Sequence, residues 1–363
     1  MSESESLARP SWIALDVGGA NIKVAHTKGP ARTVPFEVWK RPDDLAQAIA
    51  SIVATLPDYD RVAVTMTAEL CDCYPTKRVG VNAVLDAVVE THPVHPIAVW
   101  GIDGDFHPLA EARARPELVA AANWLALAKL AARLFPATTS LLIDIGTTTT
   151  DLIPLDLGTV AARGRSDTDR LQLGELVYAG IRRTPICALA TELPLRGIPT
   201  GLAAELFAST LDVYLVLGEI ASDSADLSTA DGRPATSASA RERLARMVGA
   251  DREGFTAEDA VAFARAADDC LIDRLVRAVD RACGPTIGRP HAAVVSGSGE
   301  FLARRLARRV IEPDGKIISL KEAWGERASS AGCAFALAVL ASERGNPEVE
   351  GSDATQATES LAK

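Results

Sequence analysis

Residues 62–81, VAVTMTAELCDCYPTKRVGV, carry seven ionisable side chains directly behind an apolar, strand-like run: Glu69, Cys71, Asp72, Cys73, Tyr74, Lys77 and Arg78. Two cysteines one residue apart suggest metal or redox chemistry. A carboxylate pair followed by cations suggests a substrate site instead. A structural zinc site needs C-x-x-C type spacing and a second ligand pair. Neither is present, which disfavours the thiolate–metal reading. Cys187, Cys270, Cys283 and Cys333 sit in apolar or helical surroundings and read as buried reduced thiols.

Two further stretches resemble each other. WIALDVGG with NIKVAHT, and SLLIDIGTTTTDLIPLD, both read as an apolar strand, an Asp, a β-branched residue, a Gly, small or hydroxyl residues and a second strand. They share D-[VI]-G at Asp16 and Asp144, which suggests two halves built on one hairpin. Gly-rich turns let backbone N–H groups approach an anion closely. Gly18 and Gly19 offer this in the first, with Asn21 and Lys23 as added donors; in the second, Gly146 is followed by the hydroxyls of Thr147, Thr148, Thr149 and Thr150. Asp16 and Asp144 would repel a bare phosphate, but they suit a divalent cation such as magnesium held beside it. A third motif, VVSGSGEF, ends a strand at Ser296-Gly297-Ser298-Gly299 and starts a helix at Glu300, an arrangement in which a helix N-terminus meets an anion.

These motifs lie in a chain of 363 residues, long enough for two lobes. It is 48% hydrophobic and 24% charged, as expected of a globular protein. A formal net charge of -10 argues against a nucleic-acid partner, which demands a basic surface. No apolar run is long enough to span a bilayer and MSESESLARP lacks the features of a signal peptide, so the expected location is cytoplasmic, without a membrane partner. Strands and helices alternate as in an α/β fold. ELVAAANWLALAKLAARLF reads as one long helix, residues 257–283 as two helices, and residues 221–241 as a mobile Ser/Ala/Asp-rich surface loop. His92 and His95, in a Pro-rich turn, read as surface residues. The expected division is a tail at 1–10, a first lobe at 11–137 with the helix at 328–345 returning to it, a second lobe at 138–327, and a tail at 346–363.

DVGGANIK, DIGTTTTD and SGSGEFLA, in that order, resemble the phosphate-one, phosphate-two and nucleotide-side motifs of the actin, sugar-kinase and heat-shock chaperone superfamily. More narrowly they resemble the hydantoinase A/oxoprolinase branch. MTAELCDCYPTKRVGV and LGELVYAGIRRTPICAL, together with SGSGEFLA, are similar to tetrahydromethanopterin-linked one-carbon transfer pathway proteins, over residues 11–345. The resemblance implies a two-lobed, actin-like (ribonuclease H-like) α/β fold with a central cleft. It also implies a transferase of methanofuran biosynthesis, joining an aminomethylfuran-methyl diphosphate to the phenol of γ-glutamyltyramine, or a tyrosine-type acceptor, with release of pyrophosphate.

Under that reading Thr67, Glu69 and Asp72 become candidates for contacting the donor's amine or the phenolic proton. Lys77 is a candidate for the diphosphate or an acceptor carboxylate, and Arg182 (or Arg183) for a diphosphate clamp. The expected ligands are a diphosphate donor and a phenolic acceptor, with a homodimer left open. Ala20 and Asn21 stand where kinases have Thr or Ser after the paired glycines, and the second hairpin has the single glycine Gly146. These departures weaken ATP phosphoryl transfer more than diphosphate binding. An ATP-dependent kinase or hydantoinase-like enzyme, and a non-catalytic sensor, are the competing expectations.

Overall fold

A computed structural model describes residues 10–344; apart from Pro10, the expected tails lie outside the described residues. The chain divides into two compact units. One is formed by the described residues up to Leu130 together with those from Trp324 on, the other by Ala131–Ala323.

In the first unit β1 (Trp12–Val17), β2 (Asn21–His26) and β3 (Ala31–Pro35) form an antiparallel meander. β4 (Arg61–Met66) and β5 (Ile97–Trp100) then add in parallel on the other side of β1, and β6 (Phe106–Pro108) closes the edge, giving the order β3-β2-β1-β4-β5-β6. Parallel neighbours require crossovers, supplied by the helices Leu45–Val53 and Lys77–Thr91. The first of these buries Leu45, Ile49 and Ile52, one face at helical spacing. β1 is buried along its whole length, which is why WIALDV reads as an unbroken apolar run apart from Asp16. The helix Gly332–Glu343 packs on β1, β2 and β4 of this unit.

The second unit repeats the plan. β7 (Ser140–Ile145) pairs antiparallel with β8 (Thr150–Asp156), which also pairs with β9 (Thr159–Val160) and β10 (Leu176–Val177). A separate hairpin is formed by β11 (Glu192–Leu195) and β12 (Ile198–Gly201). β13 (Ala292–Ser296) and β14 (Lys316–Ser319) add in parallel beyond β7, joined by the helix Glu300–Val310. Both sheets thus show the ribonuclease H-like order that the resemblance implies.

Four local expectations are corrected. The long helix expected after residue 116 is split into Pro116–Val119 and Asn123–Ala132, with Ala121 at φ 50°. The carbonyls of Leu118 and Ala122 are taken by Ile102 N and Trp100 Nε1, which draws this stretch out of helical bonding. Conversely, Ala257–Cys283 is one helix of 27 residues, opened by a capping box between Thr256 and Asp259 and free of internal Gly or Pro. Residues 221–236 are a built loop. Asp223, Asp226 and Asp231 each accept the N–H two residues on (Ala225, Ser228, Arg233), so the composition read as mobility is Asx-turn chemistry. The following residues 237–246 are helical, capped by Thr236.

His92 is the fourth: it is buried, its ring tilted against that of Tyr59, with Nδ1–H donating to Val88 O at 2.9 Å. Burial pushes its pKa below the ordinary value, an effect that the Val88 bond opposes and the neighbouring His95 reinforces. The unfolded chain therefore takes up a proton near pH 6.5 that the folded one refuses. The stability due to His92 is complete above that pH and is lost as pH falls below it. Urea unfolding at pH 7.5 and 5.5 should show a smaller pH-dependent loss for His92→Gln than for the wild type; equal losses would remove the assignment.

Candidate functional site

The β1–β2 and β7–β8 turns close by the same bond. Gly18 N donates to Asn21 O at 3.0 Å, and Gly146 N donates to Thr149 O at 2.9 Å. Two residues before each glycine, at the penultimate position of the first strand, stand Asp16 and Asp144. The likeness between the two sequences is thus a likeness of structure.

Two carbonyls of each turn are tied back. Gly19 O and Ala20 O accept from Val38 N and Phe36 N at 2.9 and 3.0 Å; Gly146 O accepts from Ile181 N at 3.1 Å; Thr147 O accepts from Arg182 N and Arg183 N at 3.0 and 3.1 Å. The N–H groups of Gly19, Ala20, Thr147 and Thr148 have no acceptor among the described residues. A turn with its carbonyls engaged and its N–H groups unengaged is suited to an anion, which accepts hydrogen bonds and carries the complementary charge.

In the first unit, residues from 65 onward complete the surroundings of the turn. Lys23 Nζ lies 3.4 Å from Asp16 Oδ2, while Asp16 Oδ1 is buried with no hydrogen-bond partner among the described residues. A Cβ on Gly18 would stand 3.5 Å from the Thr67 hydroxyl, and one on Gly19 would stand 2.9 Å from Cys71 Sγ. The segment 67–71 therefore lies on the glycine turn, and Thr67 is grouped with Asp16, Gly18, Gly19 and Lys23. Glu69 is placed differently. It is 1% exposed within the 3-10 turn Ala68–Leu70, and its main chain packs on Gly80 so closely that a Cβ there would come within 2.2 Å of the Glu69 carbonyl. Asp72 is exposed, and Lys77 opens the helix Lys77–Thr91 half-buried. Burial, with neighbouring Cys73, Glu69 and Asp72, pushes the Cys71 thiol up to about 11, and burial pushes the Tyr74 phenol up to about 12. Cys71 is a protonated thiol at neutral pH, so it serves as packing against the turn and not as a thiolate.

In the second unit three segments meet at Asp144. Gly297, at φ 90°, brings the Ser296–Gly299 turn against the end of β7: a Cβ there would lie 2.2 Å from Ile145 O and 2.6 Å from Asp144 Oδ1. Gly299 N donates to Ile145 O at 2.8 Å, and Ser298 is exposed. Asp151, opposite Asp144 on β8, is held by the buried Arg170 at 2.5 Å. Glu300 is committed elsewhere, accepting from Arg304 Nε and Ser319 Oγ, both at 2.8 Å. Arg182 is ion-paired with Asp226 of the 221–236 loop; burial alone would raise the Asp226 pKa, yet Arg182 and the Ser228 N–H hold it below the usual carboxylate range.

Gly180 is what lets the Ala179–Thr184 segment reach the turn. A Cβ there would fall 2.5 Å from Gly146 O and 2.6 Å from both Thr147 C and Thr148 N, all backbone atoms. Gly180→Ala should therefore displace the turn and cost about 1–3 kcal/mol. Gly201→Ala, where nothing lies within 4 Å, should be silent in the same thermal melts. If the two substitutions behave alike, the turn is not held by this approach.

Sequence reasoning missed Gly180, Asp151, Arg170 and the hydroxyl of Thr65, which pairs in register with Asp16 as Ser296 does with Asp144. The signal for the last was legible, since both hydroxyl residues stand at the end of an apolar run, in VAVTM and AVVSG.

Residues 60–343 match the hydantoinase/oxoprolinase family. The chain belongs to that family. Among curated members, it is 34% identical over 334 residues to the (4-{4-[2-(gamma-L-glutamylamino)ethyl]phenoxymethyl}furan-2-yl)methanamine synthase of Methanocaldococcus jannaschii, covering 90% of this chain and 96% of that one. The synthase of the same name from Methanococcus vannielii is 30% identical over 200 residues, 55% of this chain and 89% of that one. Among solved structures, component A of the (R)-2-hydroxyglutaryl-CoA dehydratase of Acidaminococcus fermentans is 12% identical, with a TM-score of 0.45 over 92% of this hydantoinase/oxoprolinase-family chain and 98% of that one.

Proposed function

We propose that this protein is a transferase that joins an aminomethylfuran-methyl diphosphate to a phenolic acceptor, γ-glutamyltyramine or a tyrosine counterpart, forming an aryl ether and pyrophosphate. The observation that carries the reading is the 34% identity over 96% of a synthase whose name specifies a furan methanamine joined through phenoxymethyl to a γ-glutamylaminoethyl group.

The geometry supports it at the leaving group. As the bond between methylene carbon and diphosphate oxygen breaks, negative charge grows on the departing pyrophosphate. The unengaged N–H groups at either turn, the Lys23 ammonium beside the first and the Thr147–Thr149 hydroxyls at the second are the donors suited to that charge. Each keeps its place because the turn carbonyls are tied back, so little reorganisation accompanies the reaction. The acceptor's phenol has an ordinary pKa near 10 and gains from a base that takes its proton as the C–O bond forms. Of the residues expected for that work, Thr67 lies by the first turn, and the exposed Asp72 is the carboxylate open to solvent.

Magnesium fits the residues present. The donors near the first turn are hard oxygens, and the buried Asp16 Oδ1 lacks a partner among the described residues. Among the described residues no three His, Cys, Asp or Glu side chains gather into a cage, and magnesium in phosphate sites uses one or two carboxylates with water and phosphate. Asp16 would hold it at the first turn, and Asp144 is the carboxylate at the matching position of the second. When bound it would neutralise the diphosphate's charge.

The deciding assay supplies the furan diphosphate, magnesium and either acceptor, without ATP. Acceptor-dependent pyrophosphate release with an ether of the summed mass is expected. ADP formation on adding ATP and candidate small molecules, with no ether in the first assay, would move the protein to the kinase reading.

A further inference from the structure

Trp12, Trp100 and Trp124 are each at most 5% exposed, and the half-buried Trp324 rests against the Phe335 ring, 5.3 Å between centroids. Trp39 is placed differently. It is half-buried at the tip of a tight turn, in which Lys40 N donates to Glu37 O at 3.0 Å and Arg41 N to Val38 O at 3.2 Å. The same short stretch holds the first glycine turn, since Phe36 N and Val38 N donate to Ala20 O and Gly19 O. Phe36 and Val38 belong to the core of the first unit, and Cys73 Sγ reaches Val38 O at 3.9 Å. Trp39 is therefore a large ring, partly in solvent, one residue from the bond that ties back Gly19. The other segment on that glycine also leaves an apolar side chain in water: Leu70, directly before Cys71, is 54% exposed. Apolar area of this kind beside a turn suited to an anion calls for a ligand that is both anionic and apolar.

We infer that Trp39 is the platform for the furan ring of the diphosphate donor, whose diphosphate sits at the Gly18–Ala20 turn. The inference rests on the donor reading given above and adds to it which turn and which side chain receive the donor. A single methylene joins ring and diphosphate in that molecule, so a diphosphate held by the turn obliges the ring to lie against what borders it. Asp16, Lys23 and Thr67 are polar borders that suit phosphate and its cation. A flat heteroaromatic ring gains most from an aromatic face. The donor's aminomethyl arm, an ammonium at neutral pH, strengthens the match because an indole face attracts cations. Lys40 Nζ already lies 6.0 Å from the Trp39 ring centroid, tethered to Glu37 at 2.7 Å. The phenolic acceptor carries no diphosphate to bring it to this turn.

Calorimetric titrations with the furan diphosphate and with inorganic pyrophosphate, each with magnesium and without acceptor, test the inference. Trp39→Ala should bind the furan diphosphate about tenfold more weakly than the wild type, and Trp39→Phe should restore affinity to within about threefold. All three proteins should bind magnesium pyrophosphate alike, because the platform touches the ring and not the phosphates. The furan diphosphate, and not pyrophosphate, should quench the wild-type tryptophan emission, and Trp39→Phe should lose that response. Equal affinity of Trp39→Ala and wild type for the furan diphosphate overturns the inference while leaving the donor reading intact. Weakening of both ligands to the same degree also overturns it, since the ring would then only support the turn. A wild type that binds pyrophosphate but gains nothing from the furan sinks the donor reading and the platform together.

Discussion

Asp144→Asn is expected to lower acceptor-dependent pyrophosphate release by at least about a hundredfold, the scale on which preorganised electrostatic groups act. The substitution is nearly isosteric, so the close approach of Gly297 to the Asp144 carboxylate, and with it the turn Ser296–Gly299, is preserved. Asp151 remains paired with Arg170 on the next strand. What changes is the charge at the point where the β7–β8 turn, the 179–184 segment and the β13 turn converge. If a cation accompanies the diphosphate there, losing the carboxylate weakens its hold, and activity should recover in part at raised magnesium. Thermal melts should be little affected. Turnover within tenfold of the wild type would remove Asp144 from the machinery, while a matched collapse of the melting temperature would make its role structural. Asp151→Asn is the contrast, since it removes the nearest counter-charge of the 2%-exposed Arg170 and should act on stability first.

The largest effect on stability is expected at Asp212. Its carboxylate accepts from Arg243 Nε at 2.7 Å through Oδ1 and from Ser209 N at 2.9 Å through Oδ2, and both members of the ion pair are 1% exposed. The same guanidinium donates to Asp231 at 3.0 Å. The pair therefore caps the helix Thr210–Leu217 through Asp212, ties it to Ser237–Arg246, and holds the 221–236 loop through Arg243. Burial pushes the Asp212 pKa up, opposed by the attraction of Arg243, so the carboxylate depends on that partner for its charge. Asp212→Ala removes the buried partner of the Arg243 guanidinium, leaves it Asp231 alone, and should cost about 3–5 kcal/mol. Replacing both residues with apolar ones of similar volume should cost far less than the single change. Chemical denaturation of the single and double variants separates the two cases; a double variant as unstable as the single would mean that packing, not uncompensated charge, sets the penalty.

Much of this was legible before any coordinates. The D-[VI]-G repeat announced two hairpins, because an apolar run ended by Asp and Gly admits few backbone paths, and the turns close by matching bonds at Gly18 and Gly146. Thr67, expected from the stretch behind the 62–66 strand, lies with its hydroxyl 3.5 Å from where a Cβ on Gly18 would stand. Glu69 was harder, since a charged residue in a polar stretch reads as exposed, and only the packing of its 3-10 turn on Gly80 buries it. Glu300 and Arg182 have their partners at Ser319 and Asp226, distant in sequence, so periodicity could not reveal their engagement. The 221–236 loop misled for a related reason: Asp and Ser mark turns, and whether turns are loose or pinned depends on side chains elsewhere, here Arg182 and Arg243.

The return of the helix Gly332–Glu343 to β1, β2 and β4 bears on the order in which the chain can acquire its structure during synthesis. The second unit is one continuous stretch, Ala131–Ala323, and has all its residues once that stretch has left the ribosome. The first unit begins sooner but stays incomplete, because the apolar cover contributed by Cys333, Ala334, Leu337 and Ala341 is among the last described residues to emerge. The earlier half is thus finished last, and its glycine turn rests on a sheet that lies partly uncovered through most of translation. That interval of exposed β-surface is when the nascent chain is most prone to wrong pairing, and a stop codon near residue 330 would prolong it indefinitely.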